Sequence, residues 1–165
     1  MYSDMGLMGV SELRKQAGEV FAPINPLNIA SYLGIEVYET HFTPDDGKNV
    51  SGIVAIEDGQ PVIYVNAQDA DVRKRFTIAH EIGHVYLGHL TNKDNNELID
   101  DEMRLRSSVW DMEEKQANAF AAKLLMPAFL VRDAILAGRT SVEELAELFY
   151  VSEQAMMFRL RNLGY

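Results

Sequence analysis

FTIAHEIGHVYLG, residues 76–88, is the stretch on which the fold turns, because its apolar positions suit one largely buried helix. A charged turn beginning at Asp69 leads into it, and Gly88 stops it, glycine being the residue that ends helices most readily. Inside it His80, Glu81, Ile82, Gly83 and His84 spell HExxH. On a helix, positions four apart stand about 40° apart and roughly 6 Å along the axis, so both imidazoles can reach one metal ion. Glu81 then lies beside the metal rather than on it. A carboxylate there can take a proton from metal-activated water and hand it to a leaving amine.

Two histidines need at least one further protein ligand, with a position left open for water. The extended form HExxHxxGxxH does not provide it: Leu87 stands where its glycine belongs, Leu90 where its third histidine belongs, and His89 falls one residue short, past Gly88. EKQAN, residues 114–118, offers a carboxylate on a separate helical segment. Glu114 and Asn118 share a face, and small Ala117 and Ala121 let that face come close to the first helix. Asn118 can then orient a ligand imidazole. On spacing alone Glu113 competes with Glu114, and either carboxylate suits a solvated helix N-terminus.

RKRFTIAHEIGH (73–84) followed by EKQANAFAAKLLMP (114–127) resembles the ImmA/IrrE family of bacterial and phage metallopeptidases, and the likeness runs from the first helix to the last residues. The resemblance implies that the Glu of an ExxA motif, here Glu114 with Ala117, is the third metal ligand. The pairing is also similar to that of the wider gluzincin group. The metal set is therefore His80, His84 and Glu114, with Glu81 as the catalytic carboxylate and Asn118 behind the ligands. Zinc is the expected cofactor, although manganese or another divalent ion suits the same nitrogen and oxygen donors. The implied substrate is a helix-turn-helix transcriptional repressor, cleaved by peptide-bond hydrolysis. A non-proteolytic regulatory protein that keeps a metal and grips a repressor or DNA is the alternative, against which Glu81 speaks, since a purely structural site has no use for it.

Working outward, residues 11–21 and 26–33 read as two scaffold helices, the first opened by Ser11 as a cap and the second closed by Gly34. IEVYET (35–40), SGIVAI (51–56) and PVIYVN (61–66), separated by turn signals at DDGK and EDGQ, predict a small antiparallel sheet of three strands. The resemblance makes this the family's sheet, whose edge could hold an extended substrate by strand addition. Residues 91–106 read as an exposed connection, in which Asp94 and Asn96 only faintly suggest a calcium loop lacking its glycine. Residues 112–126 predict a strong helix, with Pro127 opening another to about 136.

The last segment, 141–163, reads as two short helices spaced like a helix-turn-helix unit, with Tyr150 where such turns usually carry glycine. Packing on the core is the first expectation, and exposure of Met157 or Phe158 would favour a protein partner. Tyr86, His89, Tyr64 and Tyr150 are the side chains of a type able to stabilise an oxyanion, and nothing in the sequence selects among them. Tyr86 reads as a packed aromatic, and His89 as a helix-end residue satisfied by the last carbonyls.

The expectation is an α+β fold. A minimal zincin-like core with its three-stranded sheet, HExxH helix and second ligand helix spans residues 1–137, and a helical hairpin spans 138–165. The chain's 165 residues can bury one real core, and its absence of cysteine excludes disulfides and thiolate ligands. A net charge of −10, with only Arg159 and Arg161 placed to grip phosphate in the last helix, argues against specific nucleic-acid binding. No signal-peptide pattern or membrane-length apolar run is visible, so a cytoplasmic protein without a membrane partner is expected.

Overall fold

A computed structural model describes residues 9–43, 50–90, 97–98 and 108–165, with side chains described in all but 97–98 and 108–110. The α+β architecture is present. Its centre is a helix, α3 (Asp71–Tyr86), reached through α1 (Val10–Gln16), α2 (Pro26–Tyr32) and the strands β1 (Glu36–Thr40), β2 (Gly52–Glu57) and β3 (Gln60–Asn66). After it come a short strand β4 (Glu97–Leu98), the long helix α4 (Ser108–Leu125), and α5 (Ala128–Leu136), α6 (Val142–Phe149) and α7 (Glu153–Leu163).

Helix α3 is held between layers because it is apolar on more than one side. Ile78, Ala79, Ile82 and Val85 join one buried cluster with Val54, Ile63 and Val65 of the sheet and with Phe120, Ala121, Leu124 and Leu125 of α4. Each Val, Leu, Ile or Phe among these, when fully removed from water, contributes about 1.5–3 kcal/mol. Leu145, Phe149 and Met156 of the last two helices, with Val151 from the turn between them, belong to the same cluster.

Three of the expected strands form, but their pairing is not wholly antiparallel. The sheet order is β1-β3-β2-β4. β2 and β3 make an antiparallel hairpin through Asp58 and Gly59, both at positive φ. β1 instead pairs parallel with β3, Glu36 opposite Val62 through Thr40 opposite Asn66. β1 and β3 run one way, and β2, between them in the chain, runs the other. In the sheet β3 lies between β1 and β2, so β1 meets a strand running its own way. β4, in the segment expected to be only a connection, pairs antiparallel with Val54 and Ala55. The faint calcium-loop reading at Asp94 and Asn96, and the DDGK turn, lie outside the described residues.

Other differences are local. α1 ends a turn early, at a chain reversal in which Gly18 has φ 79°, and Gly9 rather than Ser11 occupies its N-cap. α4 begins about a turn earlier than residue 112. Pro127 caps α5 rather than entering it. The turn between α6 and α7 places Tyr150 at φ 52°, a conformation costly for any side chain but glycine. Arg75 of α3 offsets this: its Nε donates to the Tyr150 carbonyl at 3.0 Å, its Nη2 to the Ile24 carbonyl at 2.6 Å, and its guanidinium lies 4.8 Å from the Tyr150 ring centre. Among the described residues no helix is long and apolar enough to cross a membrane.

Candidate metal centre

Close approach of α3 and α4 builds the site. A Cβ on Gly83 would stand 3.2 Å from Ala117 Cα and 3.3 Å from the Ala117 carbonyl oxygen, so the glycine of HEIGH and the alanine of ExxA meet backbone to backbone. That contact brings Glu114, one turn before Gly83's neighbour on α4, onto the two histidines. Glu114 Oε1 lies 2.8 Å from His84 Nε2, and Oε2 lies 3.2 Å from His80 Nε2. The two Nε2 atoms are 3.0 Å apart.

His80, His84 and Glu114 offer one ligand atom each, all within 4.8 Å of one another, and among the described residues no other such group of histidine and carboxylate side chains occurs. The donor set fits a divalent ion, since two imidazole nitrogens and a carboxylate oxygen crowd one point, as they can when a cation lies between them. Burial pushes the Glu114 carboxyl up, but hydrogen bonds from His80 and His84 outweigh it and lower the pKa to about 2, so this group is anionic at neutral pH. Burial likewise opposes the charged form of His84 and moves it below its ordinary value. His80 feels the same burial, yet the Glu114 hydrogen bond and the charges of Glu81 and Glu114 raise it in sum.

Asn118 Oδ1 lies 3.0 Å from His80 Nδ1, as acceptor of its N–H. Glu81 is buried at the inner face of α3. It faces the start of β2, where a Cβ on Gly52 would stand 3.5 Å from Glu81 Oε1 and would overlap Thr77 Cγ2. Glu113 is buried but is not one of the converging groups.

His89 overturns its expected reading. Rather than turning to the last carbonyls, its ring sits with Nδ1 2.9 Å from His84 Nδ1 and Nε2 3.0 Å from Gln116 Oε1. The cause is the helix end: Gly88 at φ 76° reverses the chain, the Gly88 N–H donates to the Val85 carbonyl, and the His89 N–H donates to the His84 carbonyl. In this glycine-terminated motif the residue after the glycine characteristically returns against the residue five before it. The HxxxGH spacing of His84, Gly88 and His89 was the signal, and Gln116 had none. Of the remaining oxyanion candidates, Tyr64 stacks on Tyr38 and donates to Glu57, Tyr150 lies against Arg75, and Tyr86 packs 5.5 Å from Phe120 as a core aromatic.

A family profile described as Peptidase_M78, IrrE N-terminal-like domain, matches residues 30–161. No curated protein matches the sequence. Among solved structures, a Mycobacterium tuberculosis transcriptional regulator superposes with a TM-score of 0.64 at 18% identity, over 92% of this chain and 44% of that one. This chain thus spans less than half of that regulator, and the likeness shows a shared fold.

Proposed function

The chain belongs to the Peptidase_M78 family of IrrE N-terminal-like domains, a metallopeptidase family, and on that premise we propose that it is a zinc-dependent endopeptidase with His80, His84 and Glu114 as metal ligands and Glu81 as its catalytic carboxylate. The observation that carries this reading is the convergence of those three side chains within 4.8 Å, with Glu81 on the same helix as both histidines. When bound, a zinc ion would act as a Lewis acid on a scissile carbonyl and make a water acidic enough to be deprotonated near neutral pH. Everything else falls to the chain. The two histidines and Glu114 hold the ion, Asn118 steadies His80, and Glu81 accepts the proton of the attacking water and returns it to the leaving amine. The close pass of β2 at Gly52 limits how far the Glu81 carboxylate can swing.

For the substrate we favour a helix-turn-helix repressor, cut at one exposed site. The support is contextual: the fold is shared with a protein described as a transcriptional regulator, and α7 exposes Met157 and Phe158, at 37% and 52%, as a surface suited to a folded protein partner. Docking of that kind would spare generic unfolded chains. Glu81→Gln should retain zinc and binding but lose cleavage of a co-expressed repressor encoded by an adjacent gene, as followed by mass analysis. Full turnover by Glu81→Gln would refute the proton-transfer role. Rapid digestion of casein beside an untouched repressor would refute the substrate class.

A further inference from the structure

A ring nitrogen can hold a metal only through its lone pair, so each ligand histidine must carry its proton on the other nitrogen. For His80 the choice is made by Asn118 Oδ1, an acceptor 3.0 Å from Nδ1. For His84 the neighbour is another imidazole, Nδ1 against Nδ1 at 2.9 Å, and in such a pair of neutral rings one nitrogen donates while the other accepts. The contact alone does not say which. The deciding group lies one bond further out: Gln116 Oε1, 3.0 Å from His89 Nε2, is a carbonyl oxygen that only accepts.

From this geometry we infer that His89 and Gln116 are positioning residues for the metal centre, a two-bond relay that sets the tautomer of His84. Gln116 Oε1 takes the His89 Nε2 proton, which leaves His89 Nδ1 bare. With a cation between the ligands, bare Nδ1 accepts from His84 Nδ1–H, which leaves the His84 Nε2 lone pair for the metal on the side where Glu114 and His80 converge. Both nitrogens of His89 are thereby occupied, which suits a ring that is only 6% exposed. Helix α4 consequently addresses the site three times, through Glu114 directly, through Asn118 to His80 and through Gln116 by way of His89 to His84. The relay rests on the reading of His84 as a metal ligand.

The test compares wild type, His89→Phe, Gln116→Met and Gln116→Glu, with zinc ion as the probe. Gln116 is exposed, so its variants leave the core untouched. Zinc affinity from chelator competition should fall about 10-fold or more in His89→Phe and by a smaller factor in Gln116→Met, while Gln116→Glu, which keeps an acceptor, should bind at least as tightly as wild type. Nitrogen-15 and proton spectra of the proteins saturated with zinc supply a readout that mere packing would not move. The His84 Nδ1–H should appear as a low-field, slowly exchanging proton in wild type and Gln116→Glu, and should move upfield and exchange faster in His89→Phe. Unchanged affinity together with an unchanged His84 Nδ1–H signal in His89→Phe and Gln116→Met would overturn the relay while leaving the ligand reading intact. A wild-type chain that binds no zinc would overturn both.

Discussion

Glu113 and Glu114 are adjacent carboxylates that differ in fate because α4 turns about 100° between them. Only Glu114 meets His80 and His84, at 3.2 and 2.8 Å. Glu114→Ala should therefore empty the site, whereas Glu113→Ala should keep it filled, as read by metal content after dialysis; the reverse outcome would show the helix to be wrongly registered. Gly83 is the second decisive residue. Alanine there gains about 1 kcal/mol of helix propensity, but its methyl would press to 3.2 Å against both the Ala117 backbone and the buried Phe120 ring, and overpacking costs about 1–3 kcal/mol. The loss should win. Gly83→Ala should lower the urea midpoint and weaken zinc binding together, since α4 must back away with Glu114; a variant as stable and as tight-binding as wild type would contradict this.

Between elements, the contact that matters most for Glu81 is the one between the start of β2 and the middle of α3. Gly52 lacks a side chain where Thr77 Cγ2 and Glu81 Oε1 already fill the space. Gly52→Ala should cost about 1–3 kcal/mol and slow cleavage more than it weakens metal binding, because the strain falls beside Glu81 and away from the ligands. Thr77→Ser removes the obstructing methyl, so the double variant should recover a good part of that stability. Purely additive losses in a double-mutant cycle would rule out the proposed clash.

At the scale of the whole molecule, charge and the direction of the arginines weigh on nucleic-acid binding. Of the two arginines in α7 able to grip phosphate, Arg159 is turned inward, its Nε donating to the Met126 carbonyl at 2.9 Å with only 9% of the residue exposed. Arg161 is left on the outer surface of a chain carrying −10 net charge. The chain should bind DNA weakly, without sequence preference and with steep loss on added salt, as measured by titration at two ionic strengths. A tight, sequence-selective complex at physiological salt would favour the regulator reading over the peptidase.

Sequence alone determined the parts of this protein that depend on local periodicity and on rare residue types. HExxH on a buried helix and a carboxylate on a second helix were legible because the period of about 3.6 residues places side chains without reference to the rest of the fold, and Gly34 and Gly88 marked their helix ends through backbone conformation. Tertiary structure alone decided what depends on which surfaces meet. The parallel pairing of β1 with β3 follows from β3 lying between β1 and β2 in the sheet, and strand composition carries no record of strand order. Gly83 and Gly52 matter through atoms of Ala117, Thr77 and Glu81 on other elements or turns. The return of His89 to His84 was latent in the glycine that ends α3, but its bond to Gln116 joins residues 27 apart, and only packing of the two helices could bring them together.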